Sequence, residues 1–125
     1  MSPNKVVITK YFESSSALDR QAVVSYLTEN VERVEWADGF PDSGVPLRGK
    51  AAFEKNLNDP PGGGRLGIEV TRMTEENNVV VAECIVRVPK KEGGFTVIKA
   101  LDVFELENGK VKRMDSFTAV IKDSS

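Results

Sequence analysis

Apolar residues near the start of the chain recur four apart, as Val7 with Tyr11 and Ile8 with Phe12, the spacing of a helical stripe. Ser2 followed by Pro3 supplies an N-cap with proline in the first turn, and Ser14-Ser15-Ser16 marks the end of this helix. Asp19 caps a second helix whose Ala22, Val23, Tyr26 and Leu27 share a face. Val31 to Ala37 alternates imperfectly and predicts a strand, with Val34 and Trp36 of one parity and Asp38 continuing it. Gly39 to Gly49 reads as a loop, and Lys50 to Leu57 as a third helix with Phe53 and Leu57 inward, stopped by Asn58-Asp59-Pro60-Pro61 and Gly62-Gly63-Gly64. Four strands follow: Leu66 to Thr74, Asn78 to Val88, Phe95 to Leu106 and Lys110 to Ile121. They are separated by Glu76-Asn77, Glu92-Gly93-Gly94 and Asn108-Gly109. Asn-Gly favours a two-residue type I′ turn, so the last two strands should be antiparallel neighbours. Helices set before a run of antiparallel strands predict an α+β fold with a curved sheet wrapped around the helices, one domain over residues 1–125.

One residue breaks this pattern. Asp102 shares its parity with Ile98, Ala100, Phe104 and Leu106, so an acid points with four apolar neighbours, while the opposite parity is mixed and more exposed. A carboxylate buried without a partner costs several kcal/mol, roughly 3 or more, unless protonated or hydrogen-bonded. Asp102 is therefore expected to have a shifted pKa, a partner or a wet cavity. Asp115 shares a parity with Val111, Arg113, Phe117, Ala119 and Ile121, which reads as an inward Arg113–Asp115 pair or as a surface salt bridge. Trp36 could line a pocket or fill the core.

Composition narrows the chemistry. The 125 residues carry 17 basic and 19 acidic side chains, a net charge of −2, and no basic run beyond Lys90-Lys91, which argues against nucleic acid. Histidine is absent, which removes Ser-His triads and most zinc sites and leaves acid–base work to carboxylates, tyrosines and lysines. Cys84 is the only cysteine, so no intrachain disulfide forms. The glycine triplet lacks the Lys-Ser/Thr of a phosphate loop and reads as plain loop. Glu75-Glu76 and Lys90-Lys91 read as solvated charges at hairpin tips. The polar N-terminus has neither a signal-peptide core nor a spanning segment, so the expectation is a cytoplasmic protein away from membranes, needing no metal or cofactor.

The order of elements, together with Lys10-Tyr11 and Asp19 eight residues on, Pro46-Leu47-Arg48-Gly49 before a short helix, and Leu101-Asp102-Val103-Phe104 followed by Asn108-Gly109-Lys110-Val111 and Met114, resembles the nuclear transport factor 2 superfold. Its SnoaL-like and ketosteroid isomerase branches are the nearest likeness. The resemblance implies a cone-shaped α+β barrel of three N-terminal helices on a curved, mainly antiparallel sheet, with a hydrophobic pocket for a small molecule. Trp36, Phe53, Phe104, Asp115 and Phe117 are its candidate lining. Tyr11 and Asp102 match the isomerase branch's paired donors to an oxyanion. For the carboxylate base, counting from Tyr11 gives Glu35, whereas the apolar phase of Val34 favours Trp36 or Asp38. This implies a cofactor-independent isomerase or cyclase acting on a carbonyl-bearing or polycyclic substrate. A branch similar to limonene epoxide hydrolase activates water with two acids and an arginine. Asp102 and Asp115 could supply the acids, but the expected arginine is Ala100 here, leaving Arg113. The rival reading is a noncatalytic binding or dimerisation module with a filled interior and a structural Asp102. Apolar residues on both parities of the last strands, Leu101 and Val103 against Ala100 and Phe104, suggest a homodimer through the outer sheet face.

Overall fold

The computed structural model describes residues 1–57 and 66–123, so the helix stop at Asn58 to Pro61 and the glycine triplet lie outside the described residues. Three helices and six strands form in the order α1 (Pro3–Ser16), α2 (Arg20–Ser25), β1 (Leu27–Trp36), β2 (Leu47–Arg48), α3 (Lys50–Lys55), β3 (Gly67–Glu76), β4 (Val79–Pro89), β5 (Phe95–Glu107) and β6 (Lys110–Asp123). The caps act as their residue types dictate: Ser2 accepts from Lys5 N at the start of α1, and Asp19 Oδ1 accepts from Ala22 N at the start of α2. Asn108 and Gly109 both have positive φ, as the type I′ hairpin turn requires, and Asn77-Asn78 closes the β3–β4 hairpin the same way.

The sheet runs β2-β1-β6-β5-β4-β3. Its pairs are antiparallel except β1 with β6, which is parallel. Two expectations change here. The third helix is not N-terminal to the sheet, because β1 and the unforeseen two-residue β2 precede α3. Nor does the sheet close into a cone-shaped barrel: β2 and β3 stand at its edges without pairing to each other. Instead α1 lies along β3, its start tied by Ser2 and Asn4 to Glu75 and its end by Ser16 Oγ donating to the Leu66 carbonyl at 2.5 Å. Glu75 is therefore a helix anchor rather than a free hairpin charge, and the Ser2 and Asn4 hydrogen bonds hold its pKa below the usual value.

The core lies between the helices and one face of the sheet. Ile8, Tyr11 and Phe12 of α1 meet Val23, Leu27, Phe53, Val80, Phe104 and Val111 there. Tyr11, Phe12 and Phe104 form an edge-to-face trio with ring centroids 5.5 to 5.7 Å apart.

One irregularity in β6 and the register of β1 decide which side chains join that core. In β6, Val111 pairs with Leu106 and Arg113 with Glu105, so Lys112 is an extra residue and the alternation slips by one. Val111 points inward, and beyond the bulge Met114 and Ser116 do so, leaving Arg113, Asp115 and Phe117 on the outer face. In β1, Arg33 aligns with Met114 and Glu35 with Ser116, while Val34 and Trp36 align with Asp115 and Phe117. Paired residues of parallel strands project to one side, so Val31, Arg33 and Glu35 face inward. The inward parity of Asp115 and Arg113, and the shared inward phase of Val34, Trp36 and Asp38, are thereby corrected.

Candidate functional site

Asp102 is buried among the apolar residues its parity foretold, at 8% exposure, with Ala100, Phe104 and Leu106 buried beside it. Across the ladder Ser116 Oγ donates to its Oδ1 at 2.5 Å. Burial raises the Asp102 pKa above the ordinary carboxyl value, against the lowering pull of the Ser116 hydroxyl and the Arg33 charge. Glu35 adds to the rise. Burial thus favours the protonated form, in which a carboxyl is a donor as well as an acceptor.

Tyr11 comes from α1, which packs its ring in the aromatic trio and aims its hydroxyl at Met114 Sδ, 3.6 Å away. Its pKa is pushed up to about 12, chiefly by burial, with Arg33 lowering it and Asp102 raising it. The charge of Asp102 thus reaches the Tyr11 hydroxyl. Cys84, on the same inner face, is pushed to about 12 by burial and by Asp102, so it is an inert core thiol.

Arg33 was not a candidate from the sequence, yet its charge reaches both Tyr11 and Asp102. Its guanidinium carbon lies 5.5 Å from the Phe53 ring centroid, and Nη2 reaches Glu35 Oε1 at 2.5 Å. Among the described residues, Arg33 Nε is a buried side-chain nitrogen with no hydrogen-bond partner. A buried donor left so costs roughly 1–3 kcal/mol. Val31, two residues earlier, carried the signal: it is apolar, of the same parity, and wholly buried.

Arg33 and Glu35 open onto a cleft of about 640 Å³, with Val45, Pro46, Leu47 and Leu57 among its walls. Glu35 is about half exposed, 54%, against 25% for Arg33, so the pair sits at the mouth. A larger groove of about 840 Å³ between α1 and β3, lined by Phe12, Ile68 and Met73, contains none of the candidate residues. Neither cleft is lined by Tyr11 or Asp102.

The other candidates are placed elsewhere. Phe53 and Phe104 are core residues, buried and in contact with Arg33 and Tyr11 respectively. Asp38 is exposed in the turn after β1. Trp36 stacks on Phe117 at 6.0 Å on the outer face, and its Nε1 donates to Asp115 Oδ1 at 3.1 Å. Arg113 clamps Asp115 through Nε and Nη2 and reaches Glu32, which Arg48 also holds. That ionic row holds the Asp115 carboxyl below its usual pKa; burial alone would raise it, but the Arg113 and Trp36 hydrogen bonds and the Arg113 charge prevail. Asp115 and Arg113 thus lie across the sheet from Asp102, so they cannot complete a water-activating pair with it. Among the described residues no group of three or more Cys, Asp and Glu side chains forms a metal site, and no helix is long and apolar enough to cross a membrane.

Known structures share this architecture. A protein described as a SnoaL-like polyketide cyclase from Jannaschia sp. CCS1 superposes with a TM-score of 0.77 at 19% identity, over 93% of this chain and 85% of its own. TerC, co-crystallized with polyporic acid, gives 0.78 at 20% identity, over 92% and 90%. An LEH-like epoxide hydrolase of M. tuberculosis gives 0.73 at 16% identity, over 94% and 83%. Identities this low establish the fold alone. No protein of curated function matches the chain in sequence at a significant level. The SnoaL-like domain family matches residues 8–114, from the inward Ile8 of α1 to the Met114 that meets Tyr11, and with that span the chain belongs to the SnoaL-like family of the nuclear transport factor 2 superfold.

Proposed function

We propose that this protein binds a small hydrophobic, carbonyl-bearing molecule and shifts a proton on it without a cofactor, as an isomerase or cyclase. The observation that carries this reading is the register of β1, β6 and β5, which sets Glu35, Ser116 and Asp102 side by side on the inner face. Glu35 and Asp102 stand two strands apart, about 10 Å between backbones. Glu35 takes a proton from the carbon next to the carbonyl, and the bond's electron pair moves to the carbonyl oxygen. Tyr11 and protonated Asp102, which line neither cleft, donate to the resulting enolate oxygen only when the ligand reaches past Arg33 and Glu35 to the inner face, and Glu35 returns its proton at another carbon. Ser116 occupies Asp102 Oδ1, which leaves Oδ2 to carry the acid proton toward the ligand.

The test is exchange of the α-protons of 2-tetralone in deuterated buffer, followed by proton NMR. The wild-type protein should accelerate exchange over buffer, Glu35→Gln should abolish the acceleration, and Tyr11→Phe or Asp102→Asn should weaken it. Acceleration that survives Glu35→Gln, or none at all, would remove the catalytic reading.

A second reading rests on a separate observation. On the outer face Trp36, Leu101 and Phe117 are each 40% to 43% exposed and adjoin across β1, β6 and β5. Contiguous exposed aromatic and aliphatic area of this kind suits a homodimer through the outer face, alongside either a catalytic or a purely binding interior.

A further inference from the structure

Arg33 is overprovided for a structural role. One of its donors is buried without an acceptor, its face is held on Phe53, and among the described residues its hydrogen-bonded acid is Glu35, which is half in solvent. Phe53 and the strand fix where the guanidinium stands. The cleft in front of it carries Val45, Pro46, Leu47, Leu57 and Leu66, a surface suited to rings, with Asp42 and Asn56 as its further polar lining among the described residues. A guanidinium with a spare donor beside the aliphatic wall of this cleft selects a planar anionic oxygen pair or a single anionic oxygen.

We infer that Arg33 is the recognition residue of this cleft: the ligand is a ring-bearing molecule with a carboxylate or ionised enol, and this anion competes with Glu35 for the guanidinium. The ligand thereby frees Glu35 of its partner, a consequence that matters only through the proton-shuttling role of Glu35 given above, whereas the anion site itself does not rest on it. Asp42 also borders the cleft and sets its entrance against a second negative charge, which favours monoanions.

Two probes of the same shape separate charge from bulk: 2-naphthoate and 2-naphthylmethanol, titrated into the 15N-labelled full chain and followed through the backbone amides of Arg33, Glu35 and Leu57. The carboxylate should bind about tenfold or more tightly than the alcohol. Arg33→Gln should erase that preference, and Glu35→Gln should increase carboxylate affinity by removing the internal competitor, with the alcohol indifferent to both changes. Opposite signs for the two substitutions are something a merely structural ion pair would not give. Equal binding of the two probes, or a carboxylate preference that survives Arg33→Gln, overturns the inference and leaves the small-molecule reading standing. Failure of both probes to bind overturns both. Because the titration does not depend on turnover, failed exchange on 2-tetralone with intact carboxylate preference would remove the catalytic reading alone.

Discussion

Replacing Ser116 with alanine should destabilise the protein by an amount that depends on pH. The change removes the hydroxyl that donates to Asp102 Oδ1 at 2.5 Å. Both residues are buried, so bulk water does not take its place. A hydrogen bond to a charged group contributes about 1.5–3 kcal/mol and one between neutral groups about 0.5–1.5 kcal/mol. The loss should therefore be about 1 kcal/mol larger where Asp102 is ionised than where it is protonated. The sign follows from burial: the folded-state pKa of Asp102 lies above its unfolded value, so this group's stabilising contribution is full below the unfolded value and is lost as pH rises through the folded one. Ser116 restrains that rise, so Ser116→Ala steepens the decline toward alkaline pH. For a domain of this length each kcal/mol corresponds to about 3–5 °C in Tm. Urea unfolding from pH 4 to 9 on the wild type, Ser116→Ala, Asp102→Asn and the double variant measures the effect and the coupling. A cost for Ser116→Ala that is the same at both ends of the range, or a coupling of zero in the cycle, would show that the hydroxyl and the acid do not communicate.

Asp102→Asn alone should flatten the pH dependence of stability and leave the protein at least as stable as wild type on the alkaline side, which the same urea series reads. Gly44 has φ +81°, and a Cβ there would meet Trp36 Cζ3 at 3.0 Å, so Gly44→Ala should cost about 1–2 kcal/mol and shift the Trp36 emission; an unchanged melting curve and spectrum would contradict this. If the outer face forms a dimer, Phe117→Lys should lower the sedimenting mass at micromolar concentration toward that of a single chain, and a wild type that is already monomeric would dismiss the interface.

Helix starts and hairpin turns were legible because each depends on a local residue type: Ser2-Pro3, Asp19 and Asn108-Gly109 act through bonds spanning a few residues. The acid at Asp102 was legible too, since one long strand with an apolar parity needs no outside information. The facing of β1 was not. Val31 and Val34 are both fully buried, on opposite sides of the sheet, so hydrophobicity cannot say which parity meets the helices. Choosing Val34 led to Trp36 and Asp38; choosing Val31 leads to Arg33 and Glu35. The end of β6 was hidden for another reason. A bulge has no composition of its own, and Lys112 looks like any exposed strand lysine. The facing of β1 depends on its pairing with β6, about eighty residues away, whereas the β6 error arises from a slip within the β5–β6 hairpin.

The extra residue in β6 also governs how the chain tolerates changes in its length. A chain lacking Lys112 would pass from Val111 to Arg113 in unbroken alternation, with Ser116 still beside Asp102 and Phe117 still beside Trp36. Loss of a residue a little further on, between Arg113 and Ser116, would exchange the two sides, bringing a phenylalanine to the acid and leaving a polar hydroxyl on the outer surface. Loss of the bulge residue at the hairpin end of this strand is therefore silent for the interior chemistry, while loss of one a few residues later erases it, even though every strand would still pair.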